Sequence, residues 1–573
     1  QANAGAVTTG TPAIDYTYAD GAVSAAAKYL RLTSVTYPGP ATRRPVHYNY
    51  PATGIGDMLS RLDNMDDGVA APNTVTYARY SYLGAATIVK VEHPATSEGA
   101  DAGLTLSYDP DDNHSYSAWD RFGRVLDQTW KPVSGQAYDR HLYTYDRSGN
   151  RLTRQTEGQG LLSQEYSYDG LNRLTEFHRG QKDGNGQIPV TTDPENEIFR
   201  TDGQTWTLDQ LGNWPTFQMD ANGDGVYTAA SDLNQSRTHN LVNEIDNDND
   251  HTNTPSTNTL GQTSGQAVWL EPQYDAAGNM IEGPSGLDPT VRIKLIYDAW
   301  NRLVKVTDSS ETPVTIAVYR YDGQNHRIRK LTGGPSTWTV TEYYYNAAWQ
   351  VLEERKSSAV SWNESTGGAG PSAVTDLGPQ YLWDIRYIDA PVCRFVDIGG
   401  GEIETVFFCT DANMNVTALV GAYLQPGAQG PHYEYDPYGK VHVYNLAFEY
   451  QGNDPGTTEI LYCGYRYDPE TGLYHVRNRM YQPLLGRWMQ RDPAQYSDSM
   501  NIYQNTHGNP FIGTDPFGLW TFARNGGAWA TATSMPNDTL RTLAKQLYLD
   551  PKEIPLWAMG TVQVSDDSDG ATT

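Results

Sequence analysis

At 573 residues the chain could hold three or four ordinary domains or one long repeat array, and its 40 tyrosines, 14 tryptophans, 54 glycines and 33 prolines favour the array. Hydrophobic residues make up 38% and mean hydropathy is −0.61, too little aliphatic material for one compact core but suited to a one-layer sheet with a large polar face. A formal charge of −27 and a pI near 4.7 argue against nucleic acid or an anionic membrane surface as partner, and no apolar run approaches the ~20 residues of a bilayer span.

The chain opens on Gln1, which leaves open a removed leader or a longer parent chain. Residues 1–100 read as β-rich and divergent. From there a unit recurs: Trp119, Asp120, Gly123 and Arg124; then Tyr143, Tyr145, Asp146, Gly149 and Asn150; then Tyr166, Tyr168, Asp169, Asn172 and Arg173. Asp209, Gly212 and Asn213 form a weaker copy. Asp275, Asp298, Asp322 and Asp436 anchor further ones, each preceded by tyrosine. Tyr-x-Tyr sets two rings on one face of a strand. Aspartate followed three residues later by Gly or Asn marks a type I turn whose last residue takes φ > 0. The unit is therefore a β-hairpin. Asp146 and Asp169 lie 23 residues apart, as do Asp275 and Asp298, a period that indicates an array.

An acidic insertion at about 215–265 interrupts this order. Asp220, Asn222 and Asp224 occupy positions 1, 3 and 5 of an EF-hand-type loop, with Gly225 at 6, the Val226 carbonyl at 7 and Thr228 at 9. Position 12 is Ser231, and Asp232 comes one residue late. Ca²⁺ is the only cofactor this pattern implies, and none is required; a solvated acidic loop is the alternative. The 12 histidines are scattered without zinc spacing. Cys393 and Cys409 flank the glycine turn within Asp397–Glu402, and their midpoint is residue 401, so a hairpin centred there would set them face to face as a disulfide candidate in an oxidising compartment. Cys463 is left over as a small buried residue.

Residues 433–519 carry an ordered series: Tyr465, Tyr467, Asp468, Gly472 and Tyr474; then Arg479, Tyr481, Gly486 and Trp488; then Arg491, Asp492 and Pro493; then Asn501, Tyr503, Asn509 and Asp515–Leu519. This series and the hairpins before it, over roughly residues 100–519, resemble the YD repeats and associated core of the rearrangement-hotspot (RHS) and teneurin-like family. The resemblance implies an all-β fold in which YD hairpins spiral into a hollow shell, with repeats at 101–432 and the core at 433–519. It implies that the shell encloses the polypeptide following the core. It also implies self-cleavage after Leu519, at the bond to Trp520, by Asp492 and Asp515 with Arg491 as the neighbouring arginine. Two carboxyls held close do not both ionise cheaply; one would act on water while the other donates to the carbonyl. The protein would then be at most an intramolecular aspartic autoprotease, secreted or at the cell surface, with its own C-terminal segment as cargo. Plain structural turns at Asp492 and Asp515 are the alternative. With them goes a non-cleaving surface protein whose aromatic faces bind glycans or proteins. A glycan-degrading enzyme would need a carboxylate pair in a cleft, and nothing singles one out.

The tail, 520–573, predicts a small helical segment: Leu540, Leu543, Ala544, Leu547 and Tyr548 follow helical spacing from a cap at Asn537 or Asp538, with Pro551 beyond its end. Its start is similar to a LysM glycan-binding module. It has no His or Cys, which argues against a nuclease or deaminase cargo in this stretch.

Overall fold

The computed structural model describes most of residues 12–519, with breaks at 20–30, 40–42, 72, 95–102, 110–114, 133–136, 184, 191–199, 247–258, 335–336, 362–375, 400–401, 422–430, 446, 454, 457 and 498; beyond them it describes 522–523 and 531–532. Among the described residues nearly all regular structure is antiparallel β. Strands pair in strict chain order, so each hairpin simply adds to the last. A sheet of 16 strands runs from Asp15–Tyr18 to Gly261–Gln262, and one of 15 from Gln273–Tyr274 to Tyr450–Gly452. A four-stranded sheet follows between Arg466–Asp468 and Arg487–Trp488, and a small one joins Gly513–Thr514 to Phe522–Ala523 and Thr531–Ala532. The one α-helix among the described residues is Gly54–Met58. Sheet breaks thus fall near residues 262–273 and 452–466, not at 100 or 432, because sequential pairing runs through both positions. The first half of the acidic insertion, at Thr216–Asp220 and Leu233–Ser236, belongs to the first sheet. The predicted tail helix lies outside the described residues.

The repeat geometry follows from its residue types. In the turn at Asp169, Oδ1 accepts the N–H groups of Leu171 and Arg173, both at 2.9 Å, while Asn172 takes φ = 62°. The turn at Asp298 copies it, with Trp300 and Arg302 as donors and Asn301 at 60°. Gly149 and Gly278 fill the same left-handed position at 95° and 83°, where glycine is unstrained. In four of the repeats the second tyrosine is a staple: Tyr168, Tyr321, Tyr345 and Tyr435 donate to the carbonyls of Arg151, Leu303, Arg327 and Val416 in the preceding hairpin, at 2.7–2.9 Å. Adjacent turns are also tied together. Arg302 Nη1 reaches the carbonyl of Asp322 (3.0 Å), and Asn150 Nδ2 reaches Asn172 Oδ1 (2.9 Å).

The second sheet packs along the first in matched order, burying a core from Val35 through Tyr143 against Tyr343 through Trp488. Tyr37 donates to the Tyr381 carbonyl (2.6 Å) and Trp130 Nε1 to that of Thr410 (2.8 Å). Further along, Arg154 pairs with Glu434 and Arg179 with Asp436. His93 stacks between Trp130 and Phe407 and donates from Nδ1 to the Tyr77 carbonyl (2.7 Å). Burial lowers its pKa from 6.5 to about 4. Between those values the unfolded chain binds a proton that the folded chain excludes, so stability falls as pH drops through this window. The loss is at most about 1.4 kcal/mol per pH unit. Unfolding free energies measured at pH 7, 5.5 and 4.5 should fall across this window, and His93→Phe should lessen the fall, the remainder coming from histidines such as His178, His432 and His475, whose pKa values burial lowers too.

The register corrects the cysteine expectation. Cys393 lies opposite Phe407, not Cys409, because the pairing is centred on residue 400, one residue earlier than the midpoint of the two cysteines. All three cysteines are buried and none is in a disulfide, and burial pushes the Cys393 and Cys409 thiols up.

Candidate active site at the core terminus

The core crosses the rim formed by the repeat turns and is held there by asparagines. Asn509 Nδ2 donates to Asn150 Oδ1 (3.0 Å) and the Asn172 carbonyl (2.6 Å). Asn501 Nδ2 donates to Asn213 Oδ1 (2.9 Å), and Tyr503 to the Gly278 carbonyl (2.8 Å). Asn325, at the left-handed place of its turn, donates to Asn478 Oδ1 (3.0 Å). The side chains that shape the repeat turns therefore also seat the core.

Asp515 to Leu519 form the bend between Gly513–Thr514 and Phe522–Ala523. Asp515 Oδ1 accepts the Leu519 N–H (2.9 Å), and the Asp515 N–H donates to the Tyr465 hydroxyl (2.9 Å). Asn478 Nδ2 holds the Phe517 carbonyl (2.9 Å). Arg477, in a two-pronged pair with Asp389 (2.7 and 2.9 Å), holds that of Pro516. Leu519 is buried against Ile388 and Phe517. Asp492 Oδ1 accepts the Ala494 N–H (2.7 Å).

One guanidinium joins the two aspartates. Arg479 Nη2 lies 2.8 Å from Asp492 Oδ2 and 3.1 Å from Asp515 Oδ2, with all three side chains buried. Its Nη1 donates to the Ile502 carbonyl (3.2 Å), and its Cζ sits 4.3 Å from the Trp488 ring centroid. Asp492 and Asp515 come together as the sequence implied, but Arg491 does not join them. Arg491 points away, to Glu244 Oε1 (2.8 Å) and the Tyr503 hydroxyl (3.3 Å), and stays one-third exposed. Arg491 and Asp492 lie outside any strand, between the bend at 489–490 and the turn at 493–494, and their side chains take different partners: Glu244 for Arg491, Arg479 for Asp492. Arg479 stands among the core motif residues with nothing in the sequence to mark its role. Trp520 lies outside the described residues.

In the acidic loop, Asp220 accepts the N–H groups of Gly223 (2.7 Å) and Gly225 (2.8 Å), Asp224 that of Val226 (2.8 Å), and Asp232 those of Ala221 (3.1 Å) and Ala229 (2.7 Å). Asn222 Nδ2 bonds Asp224 (2.9 Å). These oxygens serve loop amides, and among the described residues no three His, Cys, Asp or Glu side chains gather to hold a metal ion. Calcium here is a proposal. A melting temperature unmoved by calcium or chelator would remove it, and a rise with calcium would support it.

No family model matches the chain. The tRNA3(Ser)-specific nuclease WapA of Bacillus spizizenii is 24% identical over 463 residues, covering 71% of this chain and 17% of its own. Toxin subunit YenC2 of Yersinia entomophaga is 24% identical over 400 residues, covering 66% of this chain and 37% of its own. Among solved structures, that of the Photorhabdus luminescens Tc holotoxin pore aligns at TM-score 0.59 and 17% identity, covering 88% of this chain and 21% of that one. The crystal structure of TcdB2-TccC3 aligns at 0.59 and 18%, covering 86% and 22%. At such identities the structures speak for the fold, and the chain spans only 17% and 37% of these two curated relatives.

Proposed function

We propose that this chain, which belongs to the RHS YD-repeat family, is a secreted shell that encloses the polypeptide following its core and severs it once, after Leu519. The observation that carries the reading is Arg479 gripping Asp492 and Asp515 while Asp515 holds the N–H of Leu519. The names of the relatives, one a nuclease and one a toxin subunit, support an enclosed cargo. In the proposed step one carboxylate takes a proton from water as its oxygen attacks the Leu519 carbonyl carbon. The other carboxyl, protonated, donates to the carbonyl oxygen as the tetrahedral centre forms. On collapse the C–N bond breaks, the leaving nitrogen of Trp520 takes the proton that the first carboxyl drew from water, and the second carboxylate recovers its own from the hydroxyl as the new carboxyl forms. Arg479 offsets the charge of whichever carboxylate remains.

A non-cleaving shell is the competing reading, favoured by the turn bonds that Asp492 and Asp515 make to main-chain amides. Intact-mass measurement on the purified full chain separates the two. Self-cleavage predicts two fragments meeting between Leu519 and Trp520, and a single uncut species for Asp515→Asn. A wild-type chain that stays whole on prolonged incubation would sink the proteolytic reading.

A further inference from the structure

A second constellation lies apart from the cleavage site and has no part in it. Most deeply buried arginines here meet a carboxylate: Arg154 meets Glu434, Arg327 meets Asp468, Arg466 meets Glu354 and Arg477 meets Asp389. Arg237 and Arg487 do not. Arg237 is 4% exposed; its Nε donates to Gln235 Oε1 (2.6 Å), and its Nη2 has no hydrogen-bond partner. Arg487 is 7% exposed; its Nη2 donates to the Asn243 carbonyl, and its Nε has no partner. Neither forms an ion pair among the described residues. Glu244, on the neighbouring turn, is taken up by Arg491, Tyr503 and Asn240.

Both guanidiniums line one cleft together with His239, Trp214, Tyr438 and Asn505. The walls suit a bound anion. Arg237 lies 5.2 Å from the Trp214 ring and Arg487 4.9 Å from that of Tyr503, so the planar forks are fixed by stacking. Two like charges taken from water without a counter-charge oppose folding strongly. Their field is visible on their neighbours: burial and the two arginines hold the His239 pKa near 2, and burial with Arg487 brings that of Arg237 down to about 9.

We propose that this cleft is an anion site for a carboxylate- or phosphate-type oxyanion, bound by the forks of Arg237 and Arg487. Guanidinium forks match the two-oxygen edge of such groups, and an anion here would satisfy the partnerless nitrogens in one step.

The test is calorimetric titration of the full-length chain, in chloride-free buffer, with sodium acetate and separately with sodium phosphate. One saturable site per chain is expected, weakened at least tenfold in Arg237→Met and in Arg487→Met, with Arg491→Met binding as wild type. Arg237→Lys, which keeps the charge but loses the fork, should bind more weakly than wild type and serves if the methionine variants misfold. Saturation by acetate alone identifies a carboxylate, such as an acidic side chain of a bound peptide; saturation by phosphate identifies a phosphoryl group or free phosphate. No saturable heat from either anion, or equal binding by wild type and Arg237→Met, would overturn the proposal.

Discussion

Under the proposed self-cleavage, Arg479→Met should slow cutting by about 10²–10³-fold or more, whereas Arg491→Met should leave the rate close to wild type. Removing one preorganised charge-stabilising donor from a buried site typically has an effect of this size. Here the donor also sets the distance between the two carboxyls, since Nη2 touches both Asp492 and Asp515. Without it two buried carboxyls face each other with no cation between them, and their titration and spacing both change. Arg479→Lys keeps a charge on a flexible stem but cannot span both oxygens while bonding Ile502, so it should cut slowly rather than not at all. Cleaved fraction against time by intact mass, with circular dichroism to confirm folding, reads this out. Loss of cutting in Arg491→Met but not in Arg479→Met would show that the described arrangement is not the cutting one.

That contrast marks what the sequence does and does not carry. The hairpins are legible because their information is local: Asp169, Asn172 and Arg173 sit within one turn and dictate it by short-range hydrogen bonds. The pairing of Asp492 with Asp515 is legible only through resemblance, since nothing local links residues 23 apart. Arg491 lies off the aspartate pair because adjacency in sequence does not carry a side chain to its neighbour's partners. Arg479 reaches its partners across a sheet and a bend, and only tertiary packing specifies that. The cysteine pairing fails for a related reason: register depends on the turn actually made at 399–402, and a shift of two positions separates Cys409 from the partner that symmetry suggests. Arg237 and Arg487 are silent in the sequence because an ion pair that is missing has no motif.

Asp468→Asn should destabilise the protein by about 3–5 kcal/mol, the cost of stranding a buried charge by removing its partner. Asp468 begins as an ordinary repeat turn, its carbonyl accepting the N–H groups of Thr471 (3.0 Å) and Gly472 (2.8 Å). Its carboxylate, however, takes both prongs of Arg327 at 2.6 and 2.9 Å, and neither side chain has any exposure. Lys330 Nζ stands 3.3 Å away, shared with Glu459 and Glu470. Burial alone would lower the pKa of Arg327, yet the charge of Asp468 holds it well above the usual value. Neutralising Asp468 leaves a buried guanidinium with half a partner and a lysine that must lean on its other acids. By contrast Lys356, 42% exposed beside Glu354, should cost under about 1 kcal/mol when removed, because water already screens it. The expected readout goes beyond a lower denaturation midpoint. Asp468 lies in the first strand of the core's four-stranded sheet while Arg327 and Lys330 belong to the repeats, so the broken pair should loosen core from shell, and the proposed self-cleavage should slow in proportion. Arg327→Met combined with Asp468→Asn should cost less than the sum of the two single changes, since the second removes the charge the first leaves stranded. Strict additivity would mean that the pair is incidental to how the core is seated.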